Sequence, residues 1–116
     1  SESSFDAAVA FHILESLLAE DREKAVGEIR RVLKPGGKAF VQVFSTNDMW
    51  FGKGKEIEKG TFVRGPGIAT HYFTEEELDA LFKKFRKVSK SLTRKGKIYR
   101  GKELTRERIV AVYEKQ

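Results

Sequence analysis

LKPGGKAFVQVF, residues 33 to 44, is the stretch on which the fold turns. Upstream of it, DREKAVGEIRRVL places Ala25, Val26, Ile29, Val32 and Leu33 at helical spacing, giving one apolar stripe. Glu20, Asp21 and Glu23 stand at the start of that run and Arg30, Arg31 and Lys34 at its end, the polarity that a helix dipole favours. Pro35 cannot continue a helix and pushes Lys34 out of helical geometry. Gly36 and Gly37 are expected to supply the unusual backbone angles for the reversal. KAFVQVF follows at once, apolar except for Gln42, as a strand buried on both faces should be.

Working outward, FDAAVAFHIL begins with a nearly continuous apolar run from Phe5 to Phe11. It reads as a second strand covered on both faces. Strand, helix, strand in this order form a βαβ unit with a right-handed crossover. Residues 45 to 73 show no clear period and hold five glycines, Pro66, Met49, Trp50, Phe51, Phe62 and Tyr72. Loops this long are usually functional, so the segment is expected to be a lid or substrate loop, with a short helix or hairpin inside. TEEELDALFKKF has a capping box in Thr74 and Glu77 and a buried stripe of Leu78, Leu81, Phe82 and Phe85. KVSKSLT and RIVAVYE are strands, with turn residues at Gly96 and Gly101 between them. Without room for a crossover helix they must be antiparallel.

The chain of 116 residues is the size of one domain, and 40% apolar content suffices for a core. Cysteine is absent, which excludes disulfides, thiolate metal sites and cysteine nucleophiles. No apolar run reaches the ~18 residues that span a bilayer, and a cytoplasmic protein is expected. Net charge is +6, but Lys83 to Arg108 holds twelve Lys/Arg against Glu103 and Glu107. Such a strip marks an acidic partner or nucleic acid, or else a sheet edge kept soluble by lysines. Along the sequence no aromatic ladder interleaves these cations.

SFDAAVAFHILESL, EIRRVLKPGGKAFVQVF, HYFTEEELDALFKKF and the closing strand pair together resemble the second half of a class I S-adenosylmethionine-dependent methyltransferase. The resemblance covers nearly the whole of residues 1–116. It implies an α/β fold, half of a Rossmann-like sheet: a parallel βαβ unit plus a final antiparallel strand pair, with helices on the faces. The family's sheet order is 3-2-1-4-5-7-6, and the strands here would be its fourth to seventh. The glycine-rich cofactor turn after the family's first strand, and the acid ending its second, have no counterpart. Gly52-Lys53-Gly54 and Gly65-Pro66-Gly67 lack a strand before and a helix after. Residues 6–11 would then form an unpaired apolar edge in need of a mate. That mate would be a chain carrying the amino-terminal half, or a second copy in a homodimer; the sequence could also be a piece of a longer protein.

Ligands of open α/β sheets sit beyond the carboxyl ends of the strands. By the resemblance, Ala10, Phe11 and His12 would line the methionine side of S-adenosylmethionine, partly through backbone atoms. The bland reading has His12 capping the strand or packing beside Glu15. Trp50, His71 and Tyr72 are candidates to contact substrate, against apolar packing for Trp50 and a hydrophobic staple for the other two. Ser45, Thr46 and Asn47 could hydrogen-bond a substrate or simply make a turn. The resemblance implies methyl transfer, with a small-molecule acceptor, needing the missing half or a partner chain. Alternatives are a non-catalytic interaction remnant and an RNA-directed role for the basic strip 83–108.

Overall fold

The computed structural model describes residues 3–116; Ser1 and Glu2 lie outside the described residues. Strand β1 (Phe5–Phe11) leads through a 3₁₀ turn (Leu14–Ser16) to helix α1 (Ala19–Val32) and strand β2 (Leu33–Phe44). Strands β3 (Lys55–Glu58), β4 (Thr61–Arg64) and β5 (Ile68–His71) follow, then helix α2 (Glu75–Leu81) and the strands β6 (Phe85–Tyr99) and β7 (Lys102–Lys115). The main sheet has the order β1-β2-β7-β6. β1 runs parallel to β2, and β7 runs antiparallel to both β2 and β6. This is the 4-5-7-6 half of the class I methyltransferase order, so the expected fold is the observed one.

The reversal at LKPGG differs in detail. α1 already ends at Val32, and the next residue, Leu33, has an extended backbone (ψ 141°) and pairs with Phe5. The register then jumps, so that Ala7 faces Lys38 and the residues between leave the ladder. Only Gly36 has a left-handed angle (φ +83°). Gly37 is required for a different reason: a Cβ there would lie 2.8 Å from the Lys34 carbonyl oxygen and 3.1 Å from that of Asp6.

One face of the sheet is packed. Ala39, Val41 and Val43 of β2 and Ile109, Ala111 and Tyr113 of β7 join Val26 of α1, Leu78 of α2 and Phe82, which caps α2, in the core. Tyr113 stacks flat on Phe82, with centroids 4.4 Å apart, and its hydroxyl donates to Asp79 at 2.8 Å, which pins α2 to the sheet. The alternate residues of the same strands point the other way. That second face carries Val9, Phe11, Phe40, Gln42, Phe44, Arg108, Val110 and Val112, and no helix lies on it. Val9 is 60% exposed and Phe11 49%. The apolar runs are thus covered on one face, not on both as expected, because both helices pack on the same side. β1 is bonded only to β2, and its outer edge is open.

Within the expected loop, residues 45–73 hold a three-stranded antiparallel meander, β3-β4-β5, one strand more than a hairpin. α2 has half of the expected capping box. Thr74 Oγ1 accepts the Glu77 N–H at 3.0 Å, whereas the Glu77 carboxylate turns to His71. β6 and β7 form one hairpin closed by Arg100-Gly101, both left-handed (φ 51° and 77°), which suits the strand twist. Gly96 is no turn: it sits in the ladder opposite Thr105. β2 reaches only to Phe44, opposite Arg108, so residues 94–107 project past the carboxyl edge of the sheet. At ~3.3 Å per residue this two-stranded ribbon is about 20 Å long. No helix among the described residues is long and apolar enough to cross a membrane.

Candidate functional site

The carboxyl edge of β1 and β2 gathers the candidate residues. The chain leaves β1 through His12, a non-glycine residue in left-handed geometry (φ 57°). Its N–H donates to the Gln42 carbonyl at 2.8 Å, and its ring lies 4.8 Å from that of Phe44. His12 Nδ1 is 2.5 Å from Glu15 Oε1, while Glu15 Oε2 accepts the Phe44 N–H at 2.8 Å. Glu15 is therefore a buried clamp between the exit of β1 and the end of β2. Burial raises its pKa, with the Phe44 N–H and His12 pulling the other way. The His12/Glu15 pair orients the edge; Ala10 places its methyl in the core, so at this edge it offers backbone, and Phe11 presents an open ring.

Tyr72 is buried beneath the meander, with Phe44, Phe51 and Phe62 around it at 5.8 to 6.3 Å. Burial, and then the charge of Asp48, push its hydroxyl pKa up. Trp50 is half-buried, edge-on to Tyr99 at 5.0 Å, with the Arg64 guanidinium 3.9 Å above its ring. His71 lies elsewhere. It is 1% exposed, held between Thr61 Oγ1 at 2.7 Å and Glu77 Oε2 at 2.6 Å, and ties the meander to α2. Ser45 Oγ accepts the Asn47 N–H at 3.1 Å, a local turn bond, and both side chains donate across to Glu107 Oε1 of β7 at 2.9 and 3.2 Å. Thr46 lines a cavity of about 870 Å³ between the meander, α1 and α2, together with Arg22, Phe51, Glu58, Tyr72 and Glu77.

Three residues at this edge were not singled out in the sequence, although Arg106 and Arg108 belong to its basic strip. Phe44, the last residue of β2, carries the guanidinium of Arg106 at 4.1 Å and that of Arg108 at 5.4 Å. Arg106 is paired through Nε with the buried Asp48 at 2.9 Å; Arg108 Nε is buried with no acceptor among the described residues. The alternation in TRERIVAV was the available signal, since it puts Arg106 and Arg108 on one face of a strand. No group of three or more His, Asp or Glu side chains among the described residues could hold a metal ion.

A methyltransferase-domain family model matches residues 1–41. A S-adenosylmethionine-dependent methyltransferase of Methanosarcina mazei superposes with a TM-score of 0.75 at 28% identity, over 98% of this chain and 60% of that one. The family match and this superposition support a class I S-adenosylmethionine-dependent methyltransferase. The 1,6-didemethyltoxoflavin-N1-methyltransferase of Burkholderia thailandensis, solved with S-adenosylhomocysteine, shares the fold with a TM-score of 0.71 at 20% identity, over all of this chain and 46% of its own. Among curated proteins, the human tRNA N(3)-cytidine methyltransferase METTL2B is 33% identical over 113 residues, 93% of this chain and 30% of the relative. The tRNA(Thr) (cytosine(32)-N(3))-methyltransferase of Saccharomyces cerevisiae is 31% identical over 84 residues, 70% of this chain and 13% of the relative. The chain thus spans about a third or less of the length of the curated relatives it matches.

Proposed function

We propose that this chain is the carboxyl-terminal half of an S-adenosylmethionine-dependent methyltransferase that acts on a cytidine of tRNA. The observation that carries the reading is the 33% identity over 113 residues to a tRNA N(3)-cytidine methyltransferase, which includes the strand pair unique to this half. The small-molecule acceptor expected from the sequence has no support among these relatives, whose names specify tRNA.

The residues present fit one side of the cofactor. Ala10 backbone, the open Phe11 ring and His12 would line its methionine end at the edge of β1. No glycine-rich turn joins a strand to a helix among the described residues: Gly52 and Gly54 lead into β3, and Gly65 and Gly67 join β4 to β5. The adenosine side is left to the amino-terminal half. That half would add its strands to the open edge of β1 and its helices to the bare face of Val9, Phe11, Phe40 and Val110, within the same polypeptide or from a partner.

S-adenosylmethionine supplies a methyl group already activated on a sulfonium. What remains for this chain is positioning. N3 of cytidine carries a lone pair and no proton, so attack requires no general base. This accords with His12 being held by Glu15 and His71 being enclosed. Phe44 and Tyr72 give an aromatic wall beside the edge where the methyl group would arrive.

The test is methyl transfer from radiolabelled S-adenosylmethionine. The chain alone is expected to transfer none. Co-expressed with the amino-terminal portion of the human relative, it should methylate bulk tRNA at cytidine. A complemented assembly that binds the cofactor yet leaves tRNA unlabelled overturns the proposal.

A further inference from the structure

We infer that the projecting β6–β7 ribbon, together with Trp50 and Arg64, is the docking surface for the RNA substrate. The inference rests on the tRNA reading above and names the site for it.

Register sorts the ribbon into two unlike faces. Arg94, Gly96 and Ile98 pair with Glu107, Thr105 and Glu103, so both acids of the basic strip lie on one face. Lys95, Lys97 and Tyr99 pair with Arg106, Leu104 and Lys102 on the other. That second face is all cation and aromatic, with one leucine. It continues without a break in register into Arg108, opposite Phe44 on the bare side of the main sheet.

The cations toward the ribbon tip also differ from those nearer its root and the core. Arg86, Lys87, Lys90 and Arg94 are committed to Glu114, Asp79 and Glu107. Lys95, Lys97, Arg100 and Lys102 are exposed and make no ion pair among the described residues. A strip that served only solubility would gain nothing from segregating its acids.

Aromatic rings arrive from outside the strip. Trp50, packed edge-on against Tyr99, brings Arg64 with it, and Arg100 lies 5.4 Å from the Tyr99 ring centre. At the inner end Phe44 holds Arg106 and Arg108, with His12 beside it. The result is a track that runs from the ribbon tip, down its length of about 20 Å, and on across β2 to the carboxyl edge of β1, in which lysines meet phosphates and rings meet bases. Its inner end is where the methyl group would be delivered, so RNA laid along it would bring a nucleotide to the reactive position.

Fluorescence anisotropy with a labelled tRNA anticodon stem-loop tests the site, using the full chain. The triple variant K95E/K97E/K102E is expected to bind at least tenfold more weakly, its salt dependence shallower by about 0.7 for each phosphate no longer neutralised. Tyr99→Ala should cost roughly tenfold through weaker stacking. The pair K83E/K84E, at the end of α2, should change binding less than twofold. Trp50, the single tryptophan, gives a second readout: its emission should be quenched by the stem-loop but not by heparin, a polyanion without bases. Far-ultraviolet circular dichroism verifies that the exposed substitutions leave the fold intact. Equal binding by the triple variant and wild type overturns the ribbon site while leaving tRNA methylation by the complemented assembly untouched. No binding by the wild-type chain at low salt overturns it too, and the methyl-transfer assay separately decides the wider reading.

Discussion

Asp48 is the residue on which the ribbon's root depends. Its carboxylate, fully buried, accepts from Arg106 Nε and the Glu107 N–H at 2.9 Å each and from the Trp50 N–H at 3.2 Å. Asp48→Ala leaves a buried N–H and a guanidinium without partners, and should cost about 3 kcal/mol in urea denaturation. Lys24→Ala, which removes an exposed pair with Glu20, should cost less than ~0.5 kcal/mol. Two buried acids should respond to pH with opposite sign. Burial pushes Glu107 up, but hydrogen bonds from Arg94, Ser45 and Asn47 outweigh it and hold its pKa below the usual value. Its stabilisation is present above the ordinary carboxylate pKa and is lost as pH falls through the lowered folded value. Glu15 is raised, chiefly by burial, so its contribution is greatest below the ordinary pKa and is lost as pH rises through the raised one. Glu15→Gln should therefore gain on wild type between pH 4 and pH 7, read as the difference in urea midpoints at the two values.

Among elements, α1 and its exit contain a contrast between glycines. Gly27 lies on the exposed side of α1, and a methyl group added there would meet nothing within 4 Å. Gly27→Ala should therefore stabilise by about 0.5–1 kcal/mol through helix propensity. Gly37→Ala should destabilise by about 1–3 kcal/mol, since its methyl would press on two carbonyl oxygens of the backbone. Thermal melts of the two variants, shifted in opposite directions, check both. The ribbon itself has no core on either face, with residues 93–103 all exposed. Its amides should exchange with solvent well before those of Ile109 to Tyr113, which share the packed sheet. Such looseness suits the RNA-docking role proposed for it.

At the scale of the molecule, the sheet is covered on one side and open at one edge. Phe5, Val9 and Phe11 are the exposed apolar residues of that edge. An open strand whose one charge, Asp6, lies at its start and is paired with Lys34 is free to pair with whatever strand it meets. The isolated chain should show a mass that rises with concentration in sedimentation, and V9K/F11K should hold it monomeric. The same variant should fail to assemble with the amino-terminal half. A wild-type chain that stays monomeric across the accessible concentration range would contradict the role assigned to this edge.

The order of elements was legible because it rests on local chemistry. Apolar stripes, the Thr74 cap and the hydrophobic runs of β1, β2 and β7 are fixed by residues close in sequence, and the resemblance to the methyltransferase sheet followed from them. The meander in residues 45–73 was hidden, since its four-residue strands are too short to show a period and are held by ladder bonds and the buried His71 strut. Likewise, the sequence has no aromatic ladder among the cations of residues 83–108; pairing across β6 and β7 sorts their charges by face, and chain reversal sets Trp50 against Tyr99 and Phe44 under Arg106. Side-chain alternation is a local property that sequence alone can state, whereas which rings stand beside those side chains depends on packing between residues tens of positions apart, and only the folded chain decides it.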